Sequence, residues 1–168
     1  SQPGGGNLHR VVVTPKGREV ASQFLPFSQL ESEDPEKLWS WLDTVNQKTG
    51  ADFVAIPHNS NVSYGKMFAN QRLNGEPFSA DYAKARARWE PVAETTQIKG
   101  DSEAHPALSP DDEFADFETY NFVMLPSGPR SKPDEADYVR SGLKRGLEIQ
   151  SNVGVNPYKY GMIGSTDA

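Results

Sequence analysis

Apolar and polar positions fall in blocks along this chain, and the period changes from block to block. His9 to Thr14, HRVVVT, is a β-branched run closed by Pro15-Lys16-Gly17, which predicts a strand and a turn. Arg18 to Glu33 has no period and reads as loop. Asp34-Pro35 opens the clearest helix, with aspartate suited to the N-cap, proline to the first helical position and Gly50 to the stop. Leu38, Trp41, Leu42 and Val45 share one face of it. That helix feeds a strand, Asp52 to Ile56, whose continuous apolar run from Phe53 ends at Pro57 and delivers His58 among small polar residues, as short buried strands do.

Asn59 to Pro77 is a long polar segment anchored by Tyr64, Met67 and Phe68, and segments of that length in a domain are often functional. Ser79 to Trp89 predicts a second helix and Val92 to Ile98 a strand. Ser109-Pro110-Asp111-Asp112 has a capping pattern that predicts a short helix with Phe114 and Phe117 on its apolar side. Pro126 to Pro133 reads as loop. Asp134 to Gln150 predicts the third long helix, with Val139, Leu143 and Leu147 in register, and Tyr160 to Ile163 a last strand ending in Gly164-Ser165-Thr166-Asp167. Strand and helix alternate throughout, so the expected fold is α/β with a parallel sheet or barrel in one domain.

Composition narrows the partners. Hydrophobic residues make up only 36% while Gly and Pro number 14 and 13, so either the loops are long or other groups complete the core; the second is expected. A net charge of −6 without clustered Lys and Arg argues against a nucleic-acid surface. No apolar run is long enough for a membrane span. Without cysteine there is no disulfide and no thiolate ligand, and a soluble protein of cytoplasm or periplasm is expected. Any metal would be held by His, Asp and Glu, which suits zinc, manganese, iron or magnesium. Oligomeric state is not written in the pattern.

Three features stand at strand ends: His58, the polar run from Gln97 through Lys99 to Glu103, and Asp167. If the strands are parallel neighbours all three project from one rim, and histidine with carboxylates on one rim is what a divalent ion takes. Two readings stay open for each. His58 is a ligand or a hydrogen-bonded structural histidine, Asp167 a ligand or a turn aspartate, Lys99 an anion contact or a solvated charge. His9, at the start of its strand, and His105, before a proline, read as surface or loop residues. A solvated carboxylate is the plain reading of Glu90, whereas Glu94 inside a strand needs a partner if buried.

AIPHNSN at 55–61, QIKGDSEAHP at 97–106, and YVRSGLKRGL with NPYKYGMIGSTDA within 138–168 resemble consecutive blocks of a bacterial family of domains of unknown function, number 3604. That family is similar to the PHP superfamily, named for polymerase and histidinol phosphatase. The resemblance implies a distorted parallel β/α barrel of about seven strands, with metal ions at its carboxyl rim and hydrolysis, usually of a phosphate ester. It makes His58 and Asp167 metal ligands, adds His9 as a further candidate, and leaves Lys99 to meet a small phosphorylated substrate. The superfamily's first motif, His-x-His, and the Asp-His and glutamate after it are missing, and the closing motif stops one residue before its histidine. The 168 residues therefore resemble the later half of a barrel cut from a longer protein, with little catalysis expected of them alone. A non-catalytic metal- or ligand-binding module, and a metallohydrolase acting on a non-phosphate ester or amide, are the alternatives.

Overall fold

A computed structural model describes residues 6–120 and 132–167. The first strand, β1 (Arg10–Val13), is followed by one short helical stretch, α1 (Arg18–Ala21), inside the segment expected to be loop. α2 (Pro35–Thr49) begins and ends where its caps dictate: the Asp34 carboxylate accepts from the Glu36 N–H at 2.9 Å, and Gly50 closes it in the left-handed region at φ 68°. Its buried face is Pro35, Leu38, Trp39, Leu42 and Val45. Trp39 is the fully buried tryptophan, while Trp41 is partly buried and packs against the core through Phe24, Phe27 and Phe53.

β2 (Val54–Pro57) follows, and α3 (Ala80–Trp89) is capped by the Ser79 hydroxyl. β3 (Val92–Gln97) and the two-residue β4 (Gly100–Asp101) come next. A short 3-10 turn, Glu135–Asp137, leads into α4 (Val139–Val153), and β5 (Gly161–Gly164) ends the order. α4 buries Val139, Gly142, Gly146 and Ile149, while Leu147 is 65% exposed. The two glycines let α4 approach closely: a methyl at Gly142 would lie 2.9 Å from the Phe68 ring and one at Gly146 2.9 Å from Tyr158 Cβ.

β1 pairs antiparallel with β2, Arg10 opposite Pro57 and Val13 opposite Val54. β3 pairs parallel with β5 and antiparallel with β4, and the β3–β5 register slips between Glu94 and Thr96. β2 runs beside β3. The expected parallel alternation thus describes β3 and β5 but not the first pair. Residues 14–34 are long enough to carry the chain back along the sheet before α2 starts, a return that block alternation does not encode. The helix expected after Ser109 is a series of turns, on which Phe114 and Phe117 are 75% and 65% exposed. The loop expected over 126–133 lies, except for Lys132 and Pro133, outside the described residues.

The core gathers Leu38, Trp39, Leu42, Phe53, Ala55, Tyr82, Trp89, Ala93, Val139 and Tyr158 between the helices and one side of the strands. At its centre lies an ion network that the sequence reading left in solvent. Glu90 is fully buried and accepts from Arg10 Nε at 2.8 Å and Trp39 Nε1 at 2.9 Å. Arg86 Nε stands 3.1 Å from its other oxygen but donates to the Tyr160 hydroxyl. Burial alone would raise the Glu90 carboxyl, yet Arg10 and Arg86 hold it below the usual range.

Candidate functional site

The rim is built where β2 ends. His58 N–H donates to the His9 carbonyl at 3.1 Å, continuing the β1–β2 ladder by one step, so the two histidines stand opposite each other. His58 is partly buried; His9 is exposed. Desolvation, then nearby positive charge including that of Arg10 and Lys99, holds the His9 imidazole below its ordinary value.

Glu94, from the middle of β3, supplies the partner its burial demands. Its Oε2 lies 2.8 Å from His58 Nδ1, and its Oε1 accepts from the Asn59 N–H at 3.2 Å. The far ring nitrogen, Nε2, meets the Asn59 side-chain amide at 2.9 Å and stands 3.7 Å from Asp167 Oδ1. Lys99 Nζ donates to Asp167 Oδ2 at 2.6 Å, and Gln97 Nε2 to the same oxygen at 3.2 Å. The Lys99 hydrogen bond, opposed by slight desolvation and aided by the Lys99 charge and the Gln97 amide, holds the Asp167 carboxyl below its usual range. His9, His58, Lys99 and Asp167, drawn from four separate stretches, therefore share one rim, with Glu94 beneath them.

Local backbone explains how they get there. Asn59 and Asp167 both adopt left-handed conformations, φ 52° and 62°, which asparagine and aspartate tolerate better than most side chains and which cluster at ligand sites. Asn61 holds the 97–102 turn against this segment: its Nδ2 donates to the Lys99 carbonyl at 2.9 Å and its Oδ1 accepts from the Ser102 hydroxyl at 3.0 Å. Sequence reasoning passed over Asn59 and Asn61 as loop residues. The signal was there in HNSN, two asparagines directly after a strand-end histidine. Two other candidates lie in contacts of their own. His105 Nδ1 accepts from the Ala107 N–H at 3.1 Å, and Glu103 pairs with Arg140 at 2.7 Å.

The donor set, imidazole nitrogen and carboxylate oxygen, suits zinc or another borderline divalent ion. A separation of 3.7 Å between His58 Nε2 and Asp167 Oδ1 can be spanned by one ion bonded to both at about 2.1 Å. Beside them Asn59 Oδ1 is buried with no hydrogen-bond partner, so a turn of that amide would offer an oxygen where its nitrogen now caps Nε2. The residues present thus fit an ion as a two-donor nucleus. Among the described residues no three His, Asp or Glu side chains converge closely enough to hold one by themselves.

No described helix is long and apolar enough to cross a membrane. A family profile described as Protein of unknown function (DUF3604) matches residues 1–168. No curated protein and no solved structure matches the chain.

Proposed function

The chain belongs to the DUF3604 family, and from that premise we propose that the intact protein is a metal-dependent hydrolase of the phosphoesterase type, on a PHP-like β/α barrel of which this is the C-terminal part. One observation carries the reading: His58 Nε2 and Asp167 Oδ1 face each other 3.7 Å apart at a strand rim, with His9 opposite His58 and Lys99 on the aspartate. His58 and Asp167 would hold a divalent ion, with His9, opposite His58 at the start of the neighbouring strand, the further candidate ligand. A bound ion lowers the pKa of a coordinated water and polarises a phosphoryl oxygen. Lys99 sets a positive charge beside Asp167, where it would meet the anionic oxygens of a small phosphorylated substrate. Gln97 and Asn61 hold the backbone that carries that lysine: Lys99 N–H donates to Gln97 Oε1 at 2.6 Å, and its carbonyl accepts from Asn61.

A second reading, a non-catalytic binding module, is favoured by the fact that the rim satisfies itself, with the Asn59 amide on Nε2 and the Lys99 ammonium on Asp167. Elemental analysis separates the two. The purified intact protein is expected to carry zinc, manganese or iron, and a variant with His58→Ala and Asp167→Ala together to lose it and with it the hydrolysis of a generic phosphomonoester. A wild type that stays metal-free after exposure to zinc and manganese would sink the hydrolase reading.

A further inference from the structure

Glu94 is the rim carboxylate that no strand-end argument selects, and its two oxygens are both engaged. Oε2 faces His58 Nδ1 at 2.8 Å and Oε1 accepts from the Asn59 N–H at 3.2 Å. An ionised carboxylate only accepts, so Nδ1 carries the ring proton. The lone pair is then on Nε2, which is where the Asn59 amide donates and where Asp167 faces it. The same carboxylate holds the backbone at the left-handed residue immediately after the histidine. Ring and main chain are thus fixed by one group, buried to 6% exposure. An ion bound directly to Glu94 would have to compete with both bonds.

We propose that Glu94 is a positioning residue: it selects the Nδ1–H tautomer of His58 and aims Nε2 out of the rim, without itself being a ligand. Its effect on metal affinity rests on the hydrolase reading; its effect on the ring does not. A carboxylate behind a ligating histidine raises the ligand's basicity and fixes its direction, and losing one costs about 10- to 100-fold in metal affinity.

The test has two arms on the intact protein. Long-range proton–nitrogen spectra of the metal-free, nitrogen-15-labelled protein, at a pH where the ring is neutral, should give the Nδ1–H tautomer for His58. Glu94→Ala should move it to Nε2–H. Glu94→Gln, close in shape and so a check against unfolding, should populate Nε2–H in part, because one amide cannot accept from both donors. Competition of zinc with a chelator should then give affinity about 10- to 100-fold weaker in both variants, with the number of ions per chain unchanged. Wild-type His58 in the Nε2–H form, folded variants that keep the wild-type signature, or loss of a whole ion in Glu94→Ala would each overturn the proposal. If the wild type takes up no zinc but the tautomers behave as stated, the hydrolase reading fails alone and the positioning role stands.

Discussion

Glu90 and Glu94 leave the same short stretch of chain and meet opposite surroundings. Glu90, just ahead of β3, is sealed among Arg10, Arg86 and Trp39, and Arg86 in turn is closed off by the Tyr158 and Tyr160 hydroxyls and the Met67 carbonyl. The pair is shut off from solvent, with Glu90 Oε2 facing Arg86 Nε at 3.1 Å but accepting no hydrogen bond. Glu94 holds a histidine whose far nitrogen meets the Asn59 amide and faces an exposed aspartate paired with a lysine. The contrast separates two uses of charge. A buried pair shut off from solvent ties distant segments together, while a carboxylate–histidine pair at a partly exposed rim can hand its order on to something that binds.

The sharpest way to break the comparison is to remove one charge from each place. Glu90→Ala leaves Arg10 and Arg86 without their counter-charge and should cost about 3–5 kcal/mol in urea unfolding. A loss no larger than that of a surface substitution would mean the network is not the tie described. Acid should come next in effect. The folded chain holds His9 and His105 below the ordinary imidazole value, in both cases chiefly through burial, so the unfolded chain takes up those protons first. Stability is therefore complete above about pH 6.5 and declines as the pH falls below it. A second decline should begin below about pH 4.3, as the unfolded chain takes up protons that Glu90 and Asp167, both held low, still refuse. Urea midpoints across that range check both steps, and a flat profile down to about pH 5 would remove the histidines from the account. The smallest effect belongs to the rim itself. Lys99→Met should leave the unfolding midpoint within experimental scatter, since the lysine and its partner are exposed, while the Asp167 carboxyl titration, followed by carbon-13 resonance, moves up toward the ordinary value.

Much of this was legible from residues that act on their neighbours. Asp34-Pro35 and Gly50 state the limits of α2, and VVV and FVAI state two strands, because caps and branched side chains work locally. The strand-end placement of His58, Lys99 and Asp167 also followed from local pattern. What depends on distant partners was not legible. Glu90 finds Arg10 at a separation of 80 residues, so its burial left no trace nearby. The inner face of α4 includes Gly142 and Gly146 beside Val139, Ile149 and the partly buried Leu143, and a search for apolar period passes over side chains whose contribution is to be small. The antiparallel turn of β1 against β2 belongs to the path of the connector, which carries no period at all.

The slip in register along β3 has a consequence of parity. In an unbroken strand, residues 94 and 97 differ by an odd step and would point to opposite sides of the sheet. Here Thr96, not Thr95, stands opposite Gly164, so one residue is absorbed and the count between them becomes even. Glu94 and Gln97 consequently serve the same cluster, one behind His58 and the other on Asp167. A single supernumerary threonine lets one strand present two polar side chains to one cluster, and its deletion would return one of them to the far side of the sheet.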